Sequence, residues 1–260
     1  THDAATNTLY HADNNDLATF TLPTTANLGD TIQIVGTGSG GWNAAAAWVP
    51  RESNRVWTSI ACSADGQKLV AAEPGWLIFI SMDGGVSWTP GGAPLRDWES
   101  VASSADGTKL VAVSFNGQIY TSTDSGANWT PRESSRIWRS VASSADGSKL
   151  VAVVAGGQIY TSTDSGVNWT PRETNRNWRS VASSADGSRL VAVVDGGPIY
   201  TSTDLGENWT PRESSRSWLS VASSTDGSKL VASVDGGRIY TSTDSGVNWT
   251  PRETNRNWRS

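Results

Sequence analysis

Five short segments of this chain bring guanidinium, carboxylate and indole groups together at one recurring spacing, Arg-Glu-x-x-Arg-x-Trp. Arg132, Glu133, Arg136 and Trp138 form one set, Arg172, Glu173, Arg176 and Trp178 a second, and Arg212, Glu213, Arg216 and Trp218 a third. Arg51, Glu52 and Arg55 repeat the pattern nearer one end, and Arg252, Glu253, Arg256 and Arg259 nearer the other. A guanidinium offers planar donors to carboxylate, sulfate or hydroxyl groups, and an indole beside it can stack on a sugar ring. The chemistry expected of such groups is recognition of glycans or anionic surface polymers. Weak sites repeated along one chain gain overall affinity by avidity.

Covalent chemistry has little material. The two histidines are His2 and His11, and Cys62 is the one cysteine, so no disulfide framework, Cys-based metal cluster or Ser-His triad is expected. No catalytic residue, metal or cofactor is expected. A sequence pI near 5.0 and the lack of a Lys/Arg run oppose nucleic acid as a partner. No run approaches the ~18 apolar residues needed to cross a bilayer, and residues 1–20 lack the basic start and apolar core of a signal peptide. Charge is uneven: residues 1–50 hold Asp3, Asp13, Asp16 and Asp30 with no Lys or Arg, so all 20 basic groups lie beyond residue 50. The acidic front reads as a solvated strand region, or as a segment that docks on a basic surface.

The elements that position these groups follow from a repeat. Trp57, Trp98, Trp138, Trp178, Trp218 and Trp258 recur every 40 or 41 residues, and Trp48, Trp88, Trp129, Trp169, Trp209 and Trp249 run in step. Residues 161–180 and 241–260 are identical. Five units are complete, and each parses into four short strands. In one unit Trp138–Ser143 is the first strand and Ala145-Asp146-Gly147 a hairpin turn, whose glycine supplies the positive φ. Leu150–Val154 is a continuous apolar run suited to a strand buried on both faces. Gly156-Gly157 interrupts it, Gln158–Ser162 is the third strand, and Asn168-Trp169-Thr170 the fourth. Four antiparallel strands every forty residues predict an all-β propeller of four-stranded blades.

The turn before the fourth strand carries a resemblance. Ser122-Thr123-Asp124-Ser125-Gly126-Ala127-Asn128-Trp129 resembles the Asp-box, S-x-D-x-G-x-x-W, of sialidase-type (BNR) propellers. It returns at Ser162–Trp169, Ser202–Trp209, Ser242–Trp249 and Ser81–Trp88, so Asp83/Trp88, Asp124/Trp129, Asp164/Trp169, Asp204/Trp209 and Asp244/Trp249 are expected to hold the fold. The resemblance implies that the motif lies on a blade's outer turn, with Ser and Asp oxygens accepting from turn amides and the Trp between blades. It also raises sialidase-like glycoside hydrolysis. Sialidases need an asymmetric set of Arg, Tyr–Glu and Asp from different blades, whereas each group here recurs in every unit. Gly237-Arg238-Ile239-Tyr240 is only superficially similar to their Arg-Ile-Pro segment. Glycoside hydrolysis generally needs one carboxyl pair about 5–10 Å apart, and the repeats single none out. The Trp-rich units are also similar to those of photosystem assembly propellers, without a residue specific to them.

Six blades are expected, with five as the alternative. Residues 1–47 are a separate acidic β segment, and residues 48–260 carry the repeats. Ala18–Leu22, Asp30–Gly36 and Ala44–Pro50 read as strands able to complete a blade with Trp258-Arg259-Ser260, closing the ring and protecting its edges. Residues 19–36 are also similar to β segments of phage-fibre-like and bacterial surface proteins, which would let them pair with a neighbour. The alternative is a chain that continues past residue 260. One blade face should carry the Arg-Glu segments and the opposite face the Asp-Gly turns. The expected function is a non-catalytic, lectin-like propeller, extracellular or at the cell surface. A self-associating structural subunit, stacking basic on acidic faces, is the alternative.

Overall fold

In the computed structural model the described residues are Arg51, residues 55–252 and, as backbone only, His2–Asp3, Thr8–Ala12, Phe20–Thr21 and Ile32–Gly36. All their regular elements are β-strands. The chain divides into Thr1–Pro50 and Arg51–Ser260.

In the first unit His2–Asp3 pairs with Phe20–Thr21, and Thr8–Ala12 with Ile32–Gly36, both in parallel. Phe20–Thr21 and Ile32–Gly36 fall within the expected strands Ala18–Leu22 and Asp30–Gly36, and their pairing is parallel, unlike the antiparallel pairing in the second unit. The expected strand Ala44–Pro50 and the closure through Trp258-Arg259-Ser260 lie outside the described residues.

The described residues of the second unit form five antiparallel repeats of four strands in chain order, called sheets below, the last three joined at their hairpins into one ten-stranded sheet. The first comprises Ser59–Cys62, Leu69–Ala72, Ile78–Ser81 and Thr89–Pro90. The second comprises Trp98–Ser103, Leu110–Ser114, Ile119–Ser122 and Thr130–Pro131. In the third sheet, after Trp138–Ser143, the second and third strands run together as Leu150–Ser162, with Gly156 at φ +69°. The expected break at Gly156-Gly157 is therefore a hairpin tip that stays in the ladder: Ala155 pairs with Asn177 and Gly157 with Arg176. The outgoing stretch is extended as well, Thr170–Ser183. Leu190–Gly197, Ile199–Ser202 and Thr210–Pro211 complete the fourth sheet, and Arg216–Ser223, Leu230–Val234, Ile239–Ser242 and Thr250–Pro251 form the fifth. Each fourth strand starts after its Trp, because the indole belongs to the preceding turn.

Strand periodicity explains the packing. Successive side chains point to opposite faces, so Val111 and Val113 face one neighbour while Leu110 and Ala112 face the other. Each buried cluster therefore spans two sheets. Val111, Val113 and Ile119 of the second sheet enclose Trp138, Val141 and Tyr160 of the third. The same arrangement surrounds Trp98, Trp178 and Trp218. Each Trp meets a Tyr edge-on at 5.1–5.3 Å, as Trp218 meets Tyr240 and Trp98 meets Tyr120. Among the described residues no such cluster joins the fifth sheet to the first.

A buried aromatic removes about 150–250 Å² from water, worth about 4–6 kcal/mol at ~25 cal/mol per Å². The indole N–H groups of Trp98, Trp138, Trp178 and Trp218 are buried without an acceptor. That costs roughly 1–3 kcal/mol each, so apolar burial still wins. Trp178→Ala is expected to lower unfolding free energy by about 3–5 kcal/mol in urea titrations. Trp57→Ala should cost clearly less, because Trp57 is 38% exposed. Equal losses would show that seating between sheets does not determine the contribution of these residues.

Candidate functional site: a repeated Arg–Glu rim and its acidic counterpart

The stretch after each fourth strand folds back on the hairpin between strands two and three, as when Arg136 N donates to Gly117 O and bridges that residue. This places the Arg-Glu segments and those hairpins on one rim. Arg132 is held inward: its backbone N donates to Ile119 O, and its Nε donates to Thr121 Oγ1 at 2.9 Å. Arg172 and Arg212 repeat the side-chain bond to Thr161 and Thr201.

The next arginine is half-exposed. Arg136 Nη2 donates to Glu133 Oε1 at 3.3 Å while its guanidinium lies 4.7 Å from the Tyr160 ring centre. Arg176 with Glu173 and Tyr200, and Arg216 with Glu213 and Tyr240, repeat the arrangement. Burial pushes the Glu133 carboxyl up, but hydrogen bonds from the Ser134 backbone and hydroxyl, together with Arg136, hold it below its usual range. Burial raises the Tyr160 and Tyr200 phenols. Both are neutral at physiological pH, so their rings serve the arginines as stacking faces.

The sequence-expected site is thus brought together only in part. Arg132/Glu133/Arg136, Arg172/Glu173/Arg176 and Arg212/Glu213/Arg216 do form rim clusters. Trp138, Trp178 and Trp218 do not join them: they are at most 1% exposed and offer no ring face to a sugar. The reason is the sheet-to-sheet seating described above.

The sequence reading places Arg55 and Arg139 on this rim but misses Trp76 and the partners Glu73, Glu99 and Phe115. Trp76 is 50% exposed on the first hairpin and bridges Arg96. Arg55 pairs with Glu73 at 3.1 Å. Arg139 pairs with Glu99 of the preceding sheet at 2.9 Å and lies over Phe115. Their signal was available as departure from the repeat: Trp76 stands where later units have Gly117 and Gly157, and Phe115 where they have Ala155 and Asp195.

The opposite rim is built from two turns. In the Ser-x-Asp-x-Gly-x-x-Trp turn, Ser162 Oγ donates to Asp164 Oδ1 and accepts from Gly166 N. Asn168 N and Nδ2 donate to the two Asp164 oxygens at 2.9 and 2.7 Å, and Trp169 Nε1 donates to Gly166 O. Trp129, Trp169, Trp209 and Trp249 each pack against the adjoining inter-sheet cluster. The turns of Asp124, Asp204 and Asp244 repeat this bonding, while in the first unit Ser87 takes the asparagine's place on Asp83. In the Asp-Gly turn, Ser144 and Ser148 hydroxyls donate to Asp146. Lys109 of the preceding sheet reaches Asp146 O and Ser165 Oγ, joining the two turns. Gly147 is required twice over: its φ is +66°, and a Cβ there would lie 2.8 Å from Lys109 Cβ.

These donors explain the carboxyl acidities. The Asn168 backbone bond, followed by its side chain and Ser162, lowers Asp164 to about 2 against the opposing effect of burial. Ser184 and Ser188 lower Asp186 to about 2. These aspartates stay ionised at neutral pH with their oxygens committed to turn donors, and the half-exposed guanidinium groups of the Arg–Glu rim form the candidate binding surface.

No protein-family model matches the sequence, and no curated protein matches it. Solved structures do. A GH74 enzyme from Niastella koreensis is 23% identical with a TM-score of 0.60, covering 76% of this chain and 32% of its own. The GH74 xyloglucanase from Xanthomonas campestris is 18% identical with a TM-score of 0.60, covering 75% and 38%. YCF48 from Cyanidioschyzon merolae is 19% identical with a TM-score of 0.53, covering 82% and 90%. The chain thus spans about a third of the length of the GH74 chains. These likenesses establish an all-β, propeller-type fold.

A carboxyl with a lowered pKa in the folded state contributes stability that is present above its unfolded value and lost as pH falls toward the folded one. Acid should therefore destabilise the protein chiefly between about pH 4 and pH 2. Asp164→Asn should show a smaller drop in melting temperature across that window than the parent. An unchanged drop would remove the turn carboxylate from the acid response.

Proposed function

We propose that this protein binds carbohydrate or anionic surface polymers without transforming them, through the Arg–Glu rim of its repeated sheets. The observation that carries this reading is the threefold recurrence of one polar cluster, a half-exposed arginine clamped by a glutamate and a tyrosine ring. The clamp keeps a planar donor array oriented, so less freedom is lost when a sulfate, carboxylate or sugar hydroxyl binds. The exposed indole of Trp76 adds an apolar face for a pyranose ring on the same rim. Near-identical clusters suit a ligand that itself repeats. Glycans and acidic surface polymers are such ligands, and the setting in which they occur is extracellular or at the cell surface.

Glycoside hydrolysis is the second reading, and the GH74 neighbours favour it. It needs a particular pair of carboxylates flanking the scissile bond. The repeated glutamates Glu133, Glu173 and Glu213 are each tied to an arginine and are equivalent to one another. Binding therefore fits the repeat better than catalysis does.

Affinity electrophoresis in gels containing xyloglucan or a sulfated polysaccharide tests the choice. The protein should be retarded, more weakly as salt increases where the polymer is charged. Replacing Arg136, Arg176 and Arg216 together by Ala should weaken binding at least about tenfold through lost avidity. Replacement by Lys should recover only part of it, because the ammonium lacks the planar fork. Absence of retardation, or retardation unchanged in the Ala variant, defeats the reading. Release of reducing ends from the polysaccharide would favour hydrolysis.

A further inference from the structure

Each internal junction between sheets is capped on the Arg–Glu rim by a guanidinium lying over a tyrosine ring. Arg136, Arg176 and Arg216 lie 4.7–4.8 Å from the ring centres of Tyr160, Tyr200 and Tyr240. Those rings are themselves fixed edge-on against the buried Trp138, Trp178 and Trp218. Arg96 over Tyr120 is looser, at 6.0 Å, where Ala93 stands in place of the glutamate.

These contacts decide which edge of the guanidinium a ligand can reach. Nε of Arg136, Arg176 and Arg216 is buried, and among the described residues no acceptor reaches it. Nη2 of each donates to Glu133, Glu173 or Glu213 at 3.3–3.4 Å. The side-on pair of Nε and Nη2 is therefore closed, whereas the end-on pair, Nη1 with the second N–H of Nη2, is open. Two parallel N–H groups match the two oxygens of a carboxylate or a sulfate, while a sugar hydroxyl can use only one. Charge favours the acid as well. Arg132, Arg172 and Arg212 are bonded to threonine hydroxyls, so each cluster of two arginines and one glutamate keeps a net positive charge. Asp195 lies on the hairpin that Arg216 bridges and reduces the charge there, which makes the Arg136 and Arg176 clamps the stronger ones.

The stacking of the sheets sets the period. Each clamp occupies the same place in its junction, and successive junctions are one sheet apart. Sheets packed face to face lie about 10 Å apart, close to the length of an extended disaccharide. We infer that the rim takes a linear acidic polysaccharide with one carboxylate or sulfate per disaccharide, each acid seated end-on at one clamp. This rests on the polymer-binding reading and narrows its ligand class: acids at a fixed spacing, rather than sugar hydroxyls, provide the recognition.

Titration calorimetry on the full chain at physiological salt, with oligosaccharides of one backbone in three forms, tests it. Unsulfated chondroitin carries one carboxylate per disaccharide, carboxyl-reduced chondroitin sulfate carries one sulfate, and carboxyl-reduced unsulfated chondroitin carries neither. The better charged form, which identifies the acid, should bind at least about tenfold more tightly than the neutral one, because charge-assisted pairs are the stronger. Its affinity should rise at least about tenfold from disaccharide to tetrasaccharide as a second clamp engages. Arg176→Gln leaves no two clamped arginines adjacent, so the tetrasaccharide should then bind no better than the disaccharide. Arg216→Gln leaves Arg136 and Arg176 adjacent and should cost the tetrasaccharide only about twofold, one of two equivalent seats. If Arg176→Gln fails to fold, Arg176→Lys takes its place and should recover only part of the tetrasaccharide gain, since an ammonium lacks the planar fork. A neutral form bound as tightly as the charged ones, affinity that does not grow with length, or equal losses in the two Gln variants overturns the inference and spares the polymer-binding reading. Failure of all three forms to bind overturns the inference alone if the polysaccharide gels still retard the protein, and both readings if they do not.

Discussion

Each first-strand tryptophan seated on the preceding sheet is the contact on which the rest of the molecule depends. A single four-stranded sheet of forty residues has two apolar faces and cannot bury either alone. Val111 and Ile119 lie on one face of their sheet and Ala112 and Tyr120 on the other. Stacking the sheets buries both at once, and the edge-on Trp–Tyr pairs set the packing geometry. Stability is then largely a sum of nearest-neighbour junctions, and the polar ladders bring successive units into register. The backbone bonds donated by Ala64, Ala105, Ala145 and Ala185, and those from Val N–H to a Ser hydroxyl, repeat with nearly constant length at every junction.

The same seating decides what reaches the surface. An indole committed to the junction cannot serve a ligand, so the rim is left with the groups that flank it. The segment between a fourth strand and the next Trp is short, and it must cross from the outer edge of one sheet to the first strand of the next. Arg132 secures its start on Thr121, and Arg136 secures its end on Tyr160 and Glu133. The residues best placed for binding are therefore also those that shape the crossing. Exposed ion pairs contribute only about 0–1 kcal/mol to stability, so on the proposed reading recognition adds a second role to arginines that already hold the crossing.

Strand number, strand order, the Asp-Gly turns and the two-face burial of Leu150–Val154 were legible because they are local, carried by period-two alternation and by glycine. The Ser-x-Asp-x-Gly-x-x-Trp turn was legible for the same reason, since its partners lie within a few residues of one another. The burial of Trp138, Trp178 and Trp218 was not, because it depends on the sheet forty residues earlier. Nor were the pairs Arg139–Glu99 and Lys109–Asp146, which also cross a junction. The parallel pairing of Thr8–Ala12 with Ile32–Gly36 escaped for another reason: that segment has no repeat with which to compare it.

Near-identity of the units has two consequences that pull in different directions. Equivalent clusters have equivalent affinities, so on the proposed reading the rim distinguishes ligands by their repetition and charge more than by the shape of one sugar. Any finer discrimination must come from departures from the repeat. Those departures are concentrated in the first two sheets, where Trp76, Phe115, Glu99 and Asp97 replace the residues of later units. The first sheet also differs at Ile60, which is 65% exposed, and at Phe79, which is buried beside Trp57. On the proposed reading, Trp76, Phe115, Glu99 and Asp97 are therefore the rim positions able to separate one ligand from another, because the equivalent clusters of the later units cannot.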